Sequence, residues 1–327
     1  MKMLAYGVNE EEREFFDRYG AEYGFELTLM EEKPSLRNLD TCRGMDVVNV
    51  LSDVPFTDEM YEKLRSLGVG IVVTRTIGYE HLHPEIAGKY GIKTANITYS
   101  PASVADYAIM MMLMSLRHIK PMLLRYAAQD YTQDGFRGRE MHSLTIGIIG
   151  TGRIGEQVIR ELGGFGARIL CTSRRQKQSL KGLAEYVDEE TLLRESDIVS
   201  LHLALTEETL HYMGKERLAR MKEGAVLVNT ARGGLVDSSA LIEALRSGRL
   251  GAAALDMVDG DRLIYYRDFK NRMVPNEAMA ILSAMPNVLM LPHMAYYTKE
   301  ASEDMVGNSL LNALKLMRGE DCEFRLS

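Results

Sequence analysis

The run Leu144-Thr-Ile-Gly-Ile-Ile-Gly-Thr-Gly-Arg-Ile-Gly155 leaves few folds open to this chain. Thr145 to Ile149 is apolar and β-branched, the pattern of a buried strand. It leads directly into G-x-G-x-x-G at Gly150, Gly152 and Gly155. A helical spacing of apolar residues follows at Ile154, Val158, Ile159 and Leu162. A glycine pattern alone is weak, but between a strand and a helix it predicts a dinucleotide-binding turn. Gly150 permits the tight turn, Gly152 lets the backbone approach a pyrophosphate, and Gly155 lets helix and strand pack closely. The helix N-terminus then offers N–H groups and a partial positive charge to phosphate. A glycine-rich turn without a ligand is the competing reading, and the flanking strand and helix weigh against it.

Strand and helix patterns alternate on both sides of this turn. Before it, strands are expected at 2–8, 25–30, 46–51, 71–76 and 92–97, with helices at 10–23, 57–67 (Thr57 as cap) and 83–90. After it, strands are expected at 145–149, 167–172, 197–203, 225–230, 251–257 and 287–291. Alternating βα units imply parallel, doubly wound sheets. The expected fold is α/β with two such domains: a Rossmann dinucleotide-binding domain, residues 100–297, inserted into a flavodoxin-like substrate domain, residues 1–99 plus 298–327. The first domain has no phosphate-binding glycine pattern, so a smaller ligand is expected there. A length of 327 residues suits about two domains.

Ser100-Pro101 reads as N-cap and first position of a helix running to Arg117 and His118. Its middle is apolar all round, as in a helix buried in a core or against a second copy of the chain. The second option is favoured, and with it a homodimer. A last amphipathic helix is expected at 299–317 and should reach back to the first domain.

Composition narrows the partners. A formal net charge of −7 and the absence of a basic run argue against nucleic acid. Ala108 to Leu116 is too short to span a bilayer, so no membrane role is expected. Three widely spaced cysteines, Cys42, Cys171 and Cys322, fit neither a disulfide framework nor a metal site and suit a reducing cytoplasm. The apolar start, Met3 to Val8, is too short for a signal peptide. His81 and His83, with Glu80 and Glu85, are too loosely spaced for a metal and read as a solvated loop.

Ligands of open α/β sheets collect beyond the carboxyl ends of the strands. In the second domain those ends read His202-Leu-Ala-Leu, Asn229-Thr-Ala-Arg232, Asp256-Met-Val-Asp259-Gly-Asp261 and Pro292-His293-Met-Ala-Tyr296. Arg can hold a carboxylate in a two-pronged fork, His can pass a proton near neutrality, and a carboxylate can hold His in one tautomer. With a dinucleotide, that set suits hydride transfer to a 2-oxo acid.

Several motifs in order then make the chain recognisable: Thr74-Arg-Thr-Ile-Gly78, Tyr99-Ser-Pro-Ala-Ser-Val-Ala-Asp-Tyr107, the glycine turn, Ser196-Asp-Ile-Val-Ser-Leu-His202, Val228-Asn-Thr-Ala-Arg-Gly233, Ala254-Leu-Asp256 and Leu291-Pro-His-Met-Ala-Tyr-Tyr-Thr298. Over essentially its whole length the chain resembles the D-2-hydroxyacid dehydrogenase family, within it most the D-lactate dehydrogenases of the vancomycin-resistance type. The resemblance implies an NAD(P)H-dependent reductase that turns a 2-oxo acid, pyruvate by default, into a D-2-hydroxy acid. It implies that His293 donates the proton, that Arg232 binds the substrate carboxylate, and that the N–H groups of Ile77 and Gly78 also hold it. Tyr99 and Tyr296 would line the substrate, and Asp256 would face the nicotinamide carboxamide. Val104, Gly150, Gly152, Arg153, Ile154, Gly155, Ser173, Arg174, Arg175, His202, Leu203, Ala204, Thr230 and Ala231 complete the expected cofactor contacts. No metal is expected. Domain closure would hinge near Ser100 and Tyr297 and exclude water.

Two departures stand out. The family's Glu partner of the catalytic His is here Asp261, one methylene shorter, with Asp259 as rival. The acid that NAD-specific members place after the second strand of this domain is absent, and Ser173-Arg174-Arg175 follow instead. Ser and Arg suit a 2′-phosphate, so NADP(H) is favoured, with NAD(H) as the alternative. Larger branched or aromatic 2-oxo acids are the alternative substrates. A nucleotide-sensing binding protein without turnover is the rival of another class, and retention of both Arg232 and His293 weighs against it.

Overall fold

The structure, a computed structural model, describes residues 1–261 and 264–327. They divide into two compact units, Met1–Ser100 with Tyr297–Ser327, and Pro101–Tyr296.

The first unit holds β1 (Lys2–Tyr6), α1 (Arg13–Tyr23), β2 (Glu26–Leu29), β3 (Val47–Val50), α2 (Asp58–Ser66), β4 (Ile71–Thr74), α3 (Pro84–Lys89) and β5 (Lys93–Ala95). The strands are parallel, in the order β2-β1-β3-β4-β5. β3 and β4 are buried at every position, as a sheet covered on both faces requires. One face packs Phe15 and Phe16 of α1 with Val306, Leu310 and Ala313 of the C-terminal helix Lys299–Arg318; the other packs Met60, Tyr61 and Leu64 of α2. The Thr57 side chain accepts from the Met60 N–H at 3.3 Å and so caps α2.

The second unit runs through α4 (Ala102–Leu116), α5 (Ile119–Ala127), β6 (Thr145–Ile149), α6 (Arg153–Leu162), β7 (Arg168–Thr172), β8 (Glu185–Tyr186), α7 (Glu189–Glu195), β9 (Ile198–Leu201) and α8 (Lys215–Arg220). It continues through β10 (Ala225–Asn229), α9 (Ser238–Arg246), β11 (Leu250–Leu255), α10 (Glu277–Ala284) and β12 (Val288–Met290); the C-terminal helix is α11. Its parallel sheet has the order β12-β11-β10-β9-β6-β7-β8. Read from β6 outward, this is the doubly wound dinucleotide-binding arrangement, and the strand order reverses between β6 and β9.

Two expectations are corrected here. Pro101 stands at the capping position of α4, so the helix starts one residue later than Ser100-Pro101 suggested. More consequentially, α4 is not a free apolar surface. Ala105, Ala108, Ile109, Met111, Met112 and Leu116 pack within their own unit against Ile146 and Ile148 of β6, Val158 and Ile159 of α6, and Val228 of β10. Met110 of α4 is exposed, and more exposed apolar side chains lie next door, Leu123, Leu124 and Tyr126 of α5 and Tyr131.

Candidate active site

β6 ends at the glycine turn. Gly150 takes φ of 95°, in the left-handed region, and a Cβ there would lie 2.5 Å from the His202 carbonyl oxygen. A Cβ on Gly155 would lie 2.0 Å from the Gly150 oxygen, whereas one on Gly152 would meet nothing within 4 Å. Two glycines thus let the turn close at the point where strand order reverses, and the third leaves bare backbone beside the first turn of α6. Arg153 is exposed and Ile154 half-buried. Thr230, at the end of β10, has a buried hydroxyl without a partner among the described residues, and Ala231 follows it. Open backbone, helix N–H groups and an orphaned hydroxyl fit a dinucleotide.

Around this turn, Val104 is buried, Leu203 half-buried and Ala204 exposed. The His202 ring meets the Ser200 hydroxyl at 2.9 Å, and burial pushes its pKa down to about 4, so it is neutral near pH 7. After β7, Ser173 is half-buried and Arg174 and Arg175 are exposed. Lys177 donates to Glu156 at 2.8 Å, and the Tyr186 hydroxyl joins the Lys177 N–H, at 3.0 Å, to the Thr151 hydroxyl, at 3.1 Å.

β11 and β12 together place His293. Asp256, fully buried at the end of β11, accepts the N–H groups of Met294 and Ala295, each at 3.0 Å, and its own carbonyl accepts the His293 N–H at 3.0 Å. The Tyr107 hydroxyl also bonds the Asp256 carboxylate. Burial raises the pKa of Asp256 and these bonds oppose the rise. The carboxylate therefore pins the loop that carries His293, whose φ of 56° is left-handed and strained for a non-glycine residue. Three tyrosine rings surround the imidazole, with centroids 5.9 Å (Tyr265), 5.6 Å (Tyr266) and 5.9 Å (Tyr296) away. Burial first, and the positive charge of Arg232 second, push its pKa down to about 4.

Arg232 is half-buried, and its Nη1 donates to the Ala231 carbonyl at 2.8 Å. Buried Asn229 holds the loop by accepting from the Ala231 N–H at 3.0 Å and donating to the Arg232 carbonyl at 2.8 Å. Neither expected acid reaches His293. Asp261 accepts the Val258 N–H at 3.0 Å, a bond that closes its own turn, and Asp259 bonds the His211 ring at 2.7 Å. Among the described residues no carboxylate bonds the His293 ring. Burial raises the pKa of Asp261 to about 6.

In the first unit, Ile77 and Gly78 follow β4. Among the described residues neither N–H has an acceptor, as a bound carboxylate would require. The Thr76 hydroxyl donates to the Gly78 carbonyl at 2.5 Å and meets the Thr74 hydroxyl at 2.8 Å, which in turn meets the His81 ring at 3.2 Å. His81 is buried, so its part of the 80–85 loop is not solvated as expected. Tyr99 is half-buried. Tyr107, Asn229 and Tyr265 received no role from the sequence; Tyr107 and Asn229 stood inside recognised motifs, and Tyr265 carried no separate signal.

A dinucleotide turn beside a histidine and an arginine is the equipment of a dinucleotide-dependent oxidoreductase. Residues 109–295 match the family described as "D-isomer specific 2-hydroxyacid dehydrogenase, NAD binding domain". An Enterococcus faecalis protein named D-specific alpha-keto acid dehydrogenase is 36% identical over 318 residues, 97% of each chain. A Clostridium sporogenes protein named aromatic 2-oxoacid reductase is 35% identical over 316 residues, 95% of each chain. A Treponema pallidum D-lactate dehydrogenase structure superposes with a TM-score of 0.93 at 30% identity, covering 100% of both chains. A Lactobacillus jensenii D-lactate dehydrogenase, solved with NAD+, has a TM-score of 0.89 at 32% identity and 100% coverage of both. The chain belongs to the D-isomer specific 2-hydroxyacid dehydrogenase family, as its motifs suggested.

Proposed function

We propose that the protein reduces a 2-oxo acid to the D-2-hydroxy acid, with pyruvate as the reference substrate. The observation that carries this reading is the placement of a neutral imidazole, His293, under the electrostatic influence of Arg232. Arg232 binds the substrate carboxylate by a charge-assisted fork. That anion cancels the positive charge that lowers the His293 pKa, so binding substrate raises the imidazole's hold on a proton. His293 then gives that proton to the carbonyl oxygen, and Asp256, through Met294 and Ala295, keeps the donor in place. The bound nicotinamide supplies the hydride. The N–H groups of Ile77 and Gly78 suit a carboxylate, and Tyr99 and Tyr296 are assigned to the substrate.

The turn at Gly150, Gly152 and Gly155, with Arg153, Ile154, Thr230, Ala231, His202, Leu203, Ala204 and Val104, is assigned to the cofactor. The family description and the NAD-bound neighbour favour NAD(H), and the comparisons lend no support to NADP(H). Ser173-Arg174-Arg175, in place of an acid, are the chain's own argument for NADP(H). Paired initial rates with pyruvate decide: preference for NADPH assigns the two arginines to a 2′-phosphate, and preference for NADH assigns them to solvent.

A second substrate reading rests on the three tyrosines around His293, which offer flat apolar surface to an aromatic 2-oxo acid. A higher kcat/KM for phenylpyruvate than for pyruvate would select it. No turnover with any 2-oxo acid would favour the binding protein. The exposed apolar side chains of α5 and Tyr131 are assigned to contact with a second copy. Light scattering should give about twice the 36.8 kDa of one chain. Among the described residues no helix is long and apolar enough to cross a membrane. Three buried free cysteines accord with a cytoplasmic setting.

A further inference from the structure

Tyr265 sets a buried phenol against His293 for which the reaction outlined above has no use. We propose that Tyr265 is a positioning residue that couples Asp261 to His293: its phenol oxygen accepts from the imidazole N–H, and its O–H donates to the Asp261 carboxylate. This rests on the reading of His293 as proton donor.

Four observations carry it. The Tyr265 hydroxyl is buried and, among the described residues, has no hydrogen-bond partner. A buried hydroxyl is seldom left so, and one beside a reacting group is poised to take a partner in another state of the site. Its ring stands edge-on to the His293 ring with centroids 5.9 Å apart. Asp261 uses Oδ2 for the Val258 N–H at 3.0 Å, and Oδ1 has no partner among the described residues. Finally, the Asp261 carboxylate is turned to the Val258 N–H and does not reach the His293 ring, so a bridging hydroxyl makes up the missing reach. Burial and the negative charges of Asp261 and Asp256 raise the phenol's pKa, which keeps it a donor.

The other groups facing His293 leave this role open. Tyr266 donates its hydroxyl to the His293 carbonyl at 3.0 Å, not to the ring. Tyr296 meets the imidazole through its ring. Asp256 is held by backbone N–H groups and by Tyr107 from α4. Asp259 is bound to His211. Arg232, from the loop after β10, repels a proton on the imidazole. Among the described residues named here, Tyr265 and Asp261 are the two with an unpaired polar atom.

The test is the pH profile of kcat for reduction at saturating cofactor, using the full chain. Reduction needs the protonated imidazole, so the rate falls as pH rises through its pKa in the complex. A link to a carboxylate raises that pKa; cutting the link lowers it. Tyr265→Phe should move the alkaline limb down by about one pH unit. Asp261→Asn, which keeps an acceptor for Val258, should do the same. The double variant should move it no further, because the two residues act through one contact. Asp261→Glu in the Tyr265→Phe background should restore the limb by direct contact. A Tyr265→Phe profile that superimposes on the parent's, or additive shifts in the double variant, would overturn the proposal. Parent-like turnover by His293→Ala would instead overturn the reading of His293 on which it rests.

Discussion

Arg75 in the first unit and His293 in the second each follow a parallel strand, yet their surroundings differ in kind. Arg75 is fully buried and every part of its guanidinium is engaged. Nε donates to Glu12 at 3.1 Å, Nη1 to Asn49 at 2.7 Å, and Nη2 to the carbonyls of Tyr6 and Gly7 at 3.1 and 2.9 Å. The Phe16 ring covers it at 5.1 Å. Around His293 the same low dielectric encloses a neutral imidazole, an Asp261 whose pKa is pushed up to about 6, and an orphaned phenol. A buried charge that is completely paired holds a fold in one state. Buried groups left partly unpaired can change protonation when a ligand arrives, which is what acid–base chemistry needs.

That contrast can be broken by substitution. His293→Ala should lower kcat by roughly 10²–10⁴-fold, the range for loss of a general acid, with little change in melting temperature. A loss within tenfold would remove His293 from the chemistry. Arg75→Met should act the opposite way. It leaves Glu12 buried and unpaired, which costs about 3–5 kcal/mol of stability. Denaturant unfolding should register that loss, while the protein that remains folded keeps its proton-transfer pH profile. An unchanged midpoint would mean that the Arg75 cluster does not hold the unit together.

Asp261→Asn sharpens the comparison through pH. The folded carboxyl titrates near 6, above its ordinary value of 3.8, so ionisation is disfavoured by folding. Its contribution is intact below the unfolded pKa and is lost as pH rises through the folded one. The amide should therefore stabilise the protein at pH 7 by about 1–2 kcal/mol, after discount for partial exposure, and the gain should vanish near pH 4. His293 runs the other way: with a folded pKa near 4, it withdraws stability as pH falls from about 6.5 toward 4. Equal gains at both pH values would show that the carboxylate carries no burial penalty. The smallest effect is expected from Asp259→Asn, which cuts an exposed pair with His211 and should change stability by less than about 1 kcal/mol. It should leave the kinetic pH profile in place, and a moved profile would return Asp259 to the active centre.

The alternation of apolar runs was enough to place every strand of the first sheet, most plainly β3 and β4, because parallel strands covered on both faces leave apolar stretches in the chain. The glycine turn was legible for a related reason, since a close backbone approach leaves no room for a side chain. Two-residue β8 carries too little pattern to be seen. α5 was hidden because its apolar residues face outward, and burial is the only thing periodicity reports. α4 was read as an apolar surface because an all-round apolar helix looks the same whether its own unit or a second copy covers it. At the site, residue types were visible but bonds were not: Asp259 and Asp261 differ by two positions, and only the turn geometry assigns one to His211 and the other to Val258.

The first unit is written in two pieces of chain, and that sets an order in time. Asn49 bonds Ser309 at 2.8 Å, the Leu326 N–H bonds the Thr94 carbonyl at 2.8 Å, and Val306, Leu310 and Leu314 complete the core begun by Phe15 and Phe16. On the ribosome residues 1–100 emerge with the α11 part of their covering surface still unsynthesised, while residues 101–296 can bury their own core as they appear. The N-terminal sheet must wait, its apolar face open, until α11 is released. The nascent chain is thus most exposed to aggregation and proteolysis just before α11 emerges, and a premature stop upstream of α11 would strand the sheet made before it.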